Sequence, residues 1–197
     1  MADVRALAFG AGAVAVAAVP VAVALTDRHL AGASAALALS TIAGALAVSA
    51  LVLQPLLARA RRIARHQILG VVAFALVLVH VGALFAEAPD DAWFALSPDG
   101  PTRARMALIA TIALFAVVAL GGLRSRLPLS AGTWRVLHAY LAVVVITLGI
   151  GHAVLTDGAL DGAGTPILVV LGALGLVAVP AAHAARTRRA RHRVLSQ

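Results

Sequence analysis

Four of the seven histidines in this chain form two pairs with one spacing. His66 and His80 lie fourteen positions apart in one apolar stretch, and His138 and His152 lie fourteen apart in another. Fourteen residues is close to four helical turns. Both members of a pair therefore fall within about 40° of one helix face, separated along the axis by roughly 21 Å at 1.5 Å per residue. Imidazole is costly in hydrocarbon and is usually present there for a function. Two helices that each offer an upper and a lower imidazole on one stripe could clamp two stacked hemes. Iron with two axial imidazoles has both axial positions filled and cycles without binding substrate. Such a pair of sites would carry electrons across a membrane.

The elements that must position these rings are legible in the composition. Of 197 residues, 62% are hydrophobic and only 12% charged, with a mean hydropathy of +0.99. Uncharged runs recur at about 20 residues, the length of helix that spans ~30 Å of hydrocarbon. Backbone groups in lipid must pair internally, which favours helices over an open sheet. The continuous apolar runs do not fit the alternating pattern of a membrane barrel. The expected class is all-α, a polytopic six-helix membrane bundle over residues 1–197 with no separate soluble domain. Its spans are expected near 6–25, 31–56, 66–86, 105–123, 134–155 and 165–183. A signal-peptide reading of the first run is weaker, because the run exceeds a typical signal core. Segment 87–102, with Pro89, Trp93, Phe94, Pro98, Gly100 and Pro101, reads as an irregular loop carrying an interfacial aromatic patch.

The net charge of +8 points to membrane orientation rather than to nucleic acid, because every basic residue is Arg and they cluster at the ends of apolar runs. Arg59, Arg61, Arg62 and Arg65 fall in one loop. Arg124, Arg126 and Arg135 fall in another, and Arg186, Arg188, Arg189, Arg191 and Arg193 fall in a basic tail over 186–197. Asp27, Glu87, Asp90, Asp91, Asp99, Asp157 and Asp161 lie on the alternate side. Both termini are then cytoplasmic, in a bacterial-type plasma membrane. The third and fifth spans run in the same direction, so His66 pairs by depth with His138 near the cytoplasmic face and His80 with His152 nearer the outer face. A faint repeat at an offset of 72 residues aligns Leu69 with Leu141, Val71 with Val143, Val72 with Val144 and Leu76 with Leu148. The absence of Cys excludes disulfides, thiolate-ligated heme and iron–sulfur clusters held by the chain's own thiolates.

Supporting residues follow from placement. Gly70, one turn after His66, would let a porphyrin or a neighbouring helix approach closely; Gly149 and Gly151 would do the same near His152. Helix packing alone accounts for any one of these glycines. Arg62, Arg65 and Arg135 are placed to reach the propionates of a heme at the cytoplasmic level, and Arg103 and Arg105 those of an outer one. Orientation signalling alone would also explain each Arg. Trp134 reads as an interface anchor, and Tyr140 as a candidate lining residue of the inner pocket. His29, His183 and His192 read as interfacial or solvated, with His183 the reserve ligand.

At Arg65-His66-Gln67-Ile68-Leu69-Gly70, ending at His80, and Trp134-Arg135-Val136-Leu137-His138, ending at His152, the chain resembles the ferric reductase-like transmembrane family. That family includes ferric reductases, the membrane part of NADPH oxidases and the heme subunit of the periplasmic methionine sulfoxide reductase system. The resemblance covers about spans two to six. It implies that His66 with His138 holds an inner heme b, and His80 with His152 an outer one. Gln67 and Ala139 stand where members often carry Arg, so the axial ligands carry over but a propionate contact there does not. No G-x-G-x-x-G fingerprint opens a helix after a strand, so a separate cytoplasmic flavoprotein or other donor is expected to supply electrons. The acceptor on the outer side would be a ferric chelate, a quinone, oxygen or a periplasmic reductase. Membrane lipid is the other expected partner, and the basic tail would steer an acidic donor or bind anionic lipid. The chain is thus expected to be a redox subunit, an oxidoreductase component without flavin or nicotinamide domains. The heme subunit of a sulfoxide reductase system is an alternative within this class. A heme-free proton- or metal-coupled transporter is the alternative from another class. It would need acidic partners or broken helices, and the spans contain no Asp or Glu.

Overall fold

The computed structural model describes residues 12, 18–59, 62–156, 158, 160–162 and 164–195. Among the described residues the regular structure is helical and no strand occurs. Helix α1 covers 18–26 and leads through a short 3-10 turn, Arg28–Leu30, into α2 (Ala35–Arg59). Then follow α3 (Ile63–Glu87), α4 (Pro89–Leu96), α5 (Thr102–Gly122), α6 (Ala131–Val154) and α7 (Gly164–Leu195). Four helices are long and apolar enough to cross a membrane: Ala35–Ala58, Ile63–Glu87, Thr102–Gly122 and Ala131–Val154. Helix α7 opens with a shorter apolar segment, Gly164–Val179. The expected all-helical class is therefore seen, while the described residues hold four helices of spanning length against the six spans expected. Most of the expected first span lies outside the described residues. So do residues 60, 61, 196 and 197 and the side chains of His29, Arg59, His183, His192 and the basic tail.

The segment expected to be an irregular loop instead contains α4. Pro89 is the cause of the break before it. A residue preceding proline is pushed out of the α region, and Ala88 sits at φ −144°, ψ 79°. Helix α3 ends there, and Pro89 then opens α4 at a position where its missing N–H costs nothing. Asp90 and Asp91 occupy the first turn of α4, where negative charge complements the helix dipole. Trp93 and Phe94 remain more than half exposed, in keeping with the expected aromatic patch. Phe85 of α3 meets the Trp93 ring edge-on at 5.2 Å. The turn that follows requires glycine: a Cβ on Gly100 would fall 2.8 Å from the Phe94 carbonyl oxygen. Helix α6 starts at Ser130, whose hydroxyl accepts from the Thr133 N–H at 3.0 Å, an N-cap worth about 1 kcal/mol.

Packing makes two antiparallel hairpins, α2 with α3 and α5 with α6. Helix α7 closes against α2 and α6, and α3 meets α5. Helices α3 and α6 are not extensive packing partners. Small residues let α2 approach its neighbours closely: Ala43, Ala45, Ala47 and Ala50 are all buried. The middle of the bundle is an apolar cluster of Ala113, Leu114 and Val145, with Leu51, Phe74, Val117, Leu141 and Val144 packed against it.

Candidate functional site

The two hairpins bring the four histidines together in two pairs. His66 and His138 have ring centroids 6.0 Å apart with planes at 60°. His80 and His152 have centroids 6.3 Å apart with planes at 65°. Helices α3 and α6 therefore run in the same direction, and each pair occupies one level of the bundle. The levels are about 21 Å apart along the helix axes, with the Phe74–Val145 cluster between them. With metal–imidazole bonds of about 2.0 Å, two rings on opposite sides of one metal have centroids roughly 6 Å apart, which is the observed spacing.

Each hairpin orients its own imidazoles through backbone carbonyls. On α2, the Gln54 carbonyl accepts from His66 Nδ1 at 3.1 Å, and the Ser40 carbonyl accepts from His80 Nδ1 at 2.9 Å. On α5, the Arg103 carbonyl accepts from His152 Nδ1 at 3.0 Å. A carbonyl oxygen can only accept, so these contacts place the proton on Nδ1 of His66, His80 and His152 and make Nε2 the nitrogen that carries the lone pair. A hydrogen bond from the second ring nitrogen is also what fixes ring orientation and raises basicity in metal-ligating histidines. The Ser40 hydroxyl, buried, lies 2.9 Å from His80 Nδ1 and donates to the His80 carbonyl at 3.1 Å. Thr156 donates to the His152 carbonyl at 2.7 Å. His138 is held differently: the Trp134 indole stacks on its ring, centroids 4.9 Å apart.

Glycine gives α2 its close approach to the His80 ring. A Cβ on Gly44 would fall 3.1 Å from His80 Nδ1, so even a methyl group there would press the imidazole by tenths of an ångström. The space that Gly70 leaves faces the Gln54 side-chain amide on α2, 3.2 Å from where its Cβ would stand. Gly151 makes room for the Met106 side chain, and nothing lies within 4 Å of a Cβ at Gly149.

The charged candidates separate. Arg62 immediately precedes α3, and Arg65 and Arg135 are exposed one turn or less from His66 and His138. Arg105 is engaged by the Pro98 carbonyl and the Thr102 hydroxyl, and Arg103 contributes its carbonyl to His152. Tyr140 is 65% exposed and lies on an outward groove of α6 with Thr133, Val136 and Leu137, away from the imidazoles.

Sequence reasoning missed Ser40, Gly44 and Gln54 and the stacking role of Trp134. Ser40 and Gln54 repeat on α2 the fourteen-residue interval of the histidines, and Trp134 precedes His138 by one turn, so both signals were present. Among the described residues no group of three or more His, Cys, Asp or Glu gathers as a metal site. Each level offers two imidazoles at the centroid spacing that one metal between them would give, a pair that suits a metal whose remaining ligands come from a macrocycle. It would leave a zinc ion short of protein ligands.

No family model matches the chain, and no curated protein or solved structure matches it.

Proposed function

We propose that the chain is a membrane electron-transfer protein that holds two b-type hemes, one between His66 and His138 and one between His80 and His152. The observation that carries this reading is the pairing of four imidazoles at two levels, 6.0 and 6.3 Å apart. The donor chemistry supports it further, because three of the four rings have Nδ1 committed to a carbonyl, the tautomer that puts the lone pair on Nε2. Bound there, heme iron would supply one-electron exchange without substrate binding.

The chain's own residues do the rest. Ser40, Gln54 and Arg103 hold the rings through their carbonyls, and Gly44 admits the His80 ring beside α2. Arg62, Arg65 and Arg135 supply cations near the His66 level for anionic propionates. The apolar cluster around Phe74 and Val145 excludes water between the levels. On this reading the His66 level faces the cytoplasm, where a separate donor of the flavoprotein kind delivers electrons. The His80 level passes them to an acceptor on the outer side, in the manner of a ferric reductase-like membrane domain.

The test is direct. The full chain is purified in detergent, its oxidised and dithionite-reduced spectra are recorded, and heme is counted as the pyridine hemochrome. A low-spin b-type spectrum with about two hemes per chain is expected. Protein that stays colourless after heme supply overturns the reading and favours a heme-free transporter.

A further inference from the structure

The His66–His138 level carries an aromatic contact that the other level does not show among the described residues. The Trp134 indole lies flat on the His138 ring, at 4.9 Å and 23°. That indole is itself fixed, because its Nε1–H donates to the Leu120 carbonyl at 3.0 Å. On the indole also sits the Arg124 guanidinium, its carbon 5.6 Å from the ring centroid, a cation–π distance. Leu120 lies in the last turn of α5 and Arg124 just beyond its end. The end of α5 therefore grips the indole, and the indole grips one ring of the pair. At the other level, Ser40 and Thr156 hydroxyls stand beside the rings instead.

We propose that Trp134 is a positioning residue for the His66–His138 pair and that, by anchoring Arg124, it raises the reduction potential of the centre held there. The proposal rests on the two-heme reading above. A flat indole against an imidazole restricts rotation of that ring, the freedom that decides where Nε2 points. Arg124 lies at most about 10.5 Å from the His138 ring, the 5.6 and 4.9 Å contacts placed end to end. At that range, beside a low-dielectric bundle, its field is only partly screened. A fixed positive charge favours the state with one more electron. The centre at the His66 level is therefore easier to reduce than its two imidazoles alone would make it.

Potentiometric titration of the purified full chain tests this, with the centre assigned by its loss in His66→Ala. Arg124→Gln should shift that centre's reduction equilibrium toward the oxidised form by up to about tenfold, about 59 mV for one electron, and leave the other centre unmoved. Trp134→Leu should shift the same centre in the same direction and broaden its low-spin EPR signal; Trp134→Phe should restore a narrow signal. Unchanged potentials in both Arg124→Gln and Trp134→Leu, with both hemes retained, overturn the proposal.

A second arm needs no heme. The chain has two tryptophans, so a Trp93→Phe background isolates Trp134. Imidazole in contact with indole quenches its emission, and His138→Leu should therefore brighten the heme-free protein. Unchanged emission overturns the stack. Colourless wild-type protein that still brightens would instead remove the two-heme reading, and the tuning with it, while leaving the contact in place.

Discussion

Ser40 and Gln54, fourteen residues apart on α2, place their backbone carbonyls 2.9 and 3.1 Å from Nδ1 of His80 and His66. Helix α2 thus carries a register of acceptors that matches the register of imidazoles on α3. Only an antiparallel hairpin with no slip between its helices brings both contacts into reach together. A shift of one residue on either helix would turn the rings by about 100° and lose both.

Replacing one ring of a pair should remove one redox centre and spare the other. His80→Ala or His152→Ala is expected to lower the pyridine hemochrome count from about two to about one per chain. His66→Ala or His138→Ala should do the same for the other level. Loss of both hemes, or of neither, in protein that still elutes as the native species would contradict the pairing.

Gly44 faces the His80 ring with little room to spare. A leucine there would drive at least three further carbon atoms into the His80 ring, which already lies 3.1 Å from the Cβ position. Overpacking of this kind costs about 1–3 kcal/mol. Gly44→Leu should lower the thermal midpoint in detergent and selectively disturb the His80-level spectrum. Gly44→Ala, which requires a ring movement of tenths of an ångström, should do so weakly.

Ser40→Ala offers the opposite case. It removes a buried hydroxyl that contacts His80 Nδ1 and the His80 carbonyl, while the Ser40 main-chain acceptor stays. A loss of about 0.5–1.5 kcal/mol is expected, with the His80-level spectrum retained. Denaturation in detergent, followed with the absorption of the same sample, reads both quantities. Collapse of the spectrum would mean that the hydroxyl, not the carbonyl, orients the ring.

The Gln54 side chain has both amide atoms buried without a hydrogen-bond partner among the described residues. Such groups cost about 1–3 kcal/mol. Gln54→Met keeps the volume and removes the unpaired atoms, so stability should rise or stay level, while the Gln54 carbonyl continues to hold His66. A drop in stability, or release of the His66-level heme, would show that the amide serves a bound group there.

Much of this arrangement could be read from residue spacing. The fourteen-residue intervals put His66 with His138 and His80 with His152 once α3 and α6 were drawn in parallel, and the Arg and Asp placement supplied that direction. Four spans were visible as uncharged runs. Helix α4 was not, because Pro89, Pro98 and Gly100 read as loop punctuation, whereas Pro89 starts a helix as readily as it stops one. The acceptors of Nδ1 were invisible for another reason: they are main-chain carbonyls, which every residue carries, so the types Ser40, Gln54 and Arg103 do not announce them. Arg103 drew notice for its guanidinium and contributes its backbone. By residue type Trp134 reads as a membrane-interface anchor. Its spacing from His138 also places it one turn from that ring, and the contact with Leu120 holds it there.

Between His66 and His80 on α3 the chain carries no acidic, basic or imidazole side chain, and the same holds between His138 and His152 on α6. The layer there is filled by Phe74, Leu141, Val144 and Val145. On the proposed reading, an electron that traverses this layer meets no acidic, basic or imidazole side chain on either histidine helix to carry a proton with it, and each uncompensated transfer would move one net negative charge across the membrane. The resting voltage would oppose or assist that current according to its sign, coupling the rate of this protein to the energised state of its membrane.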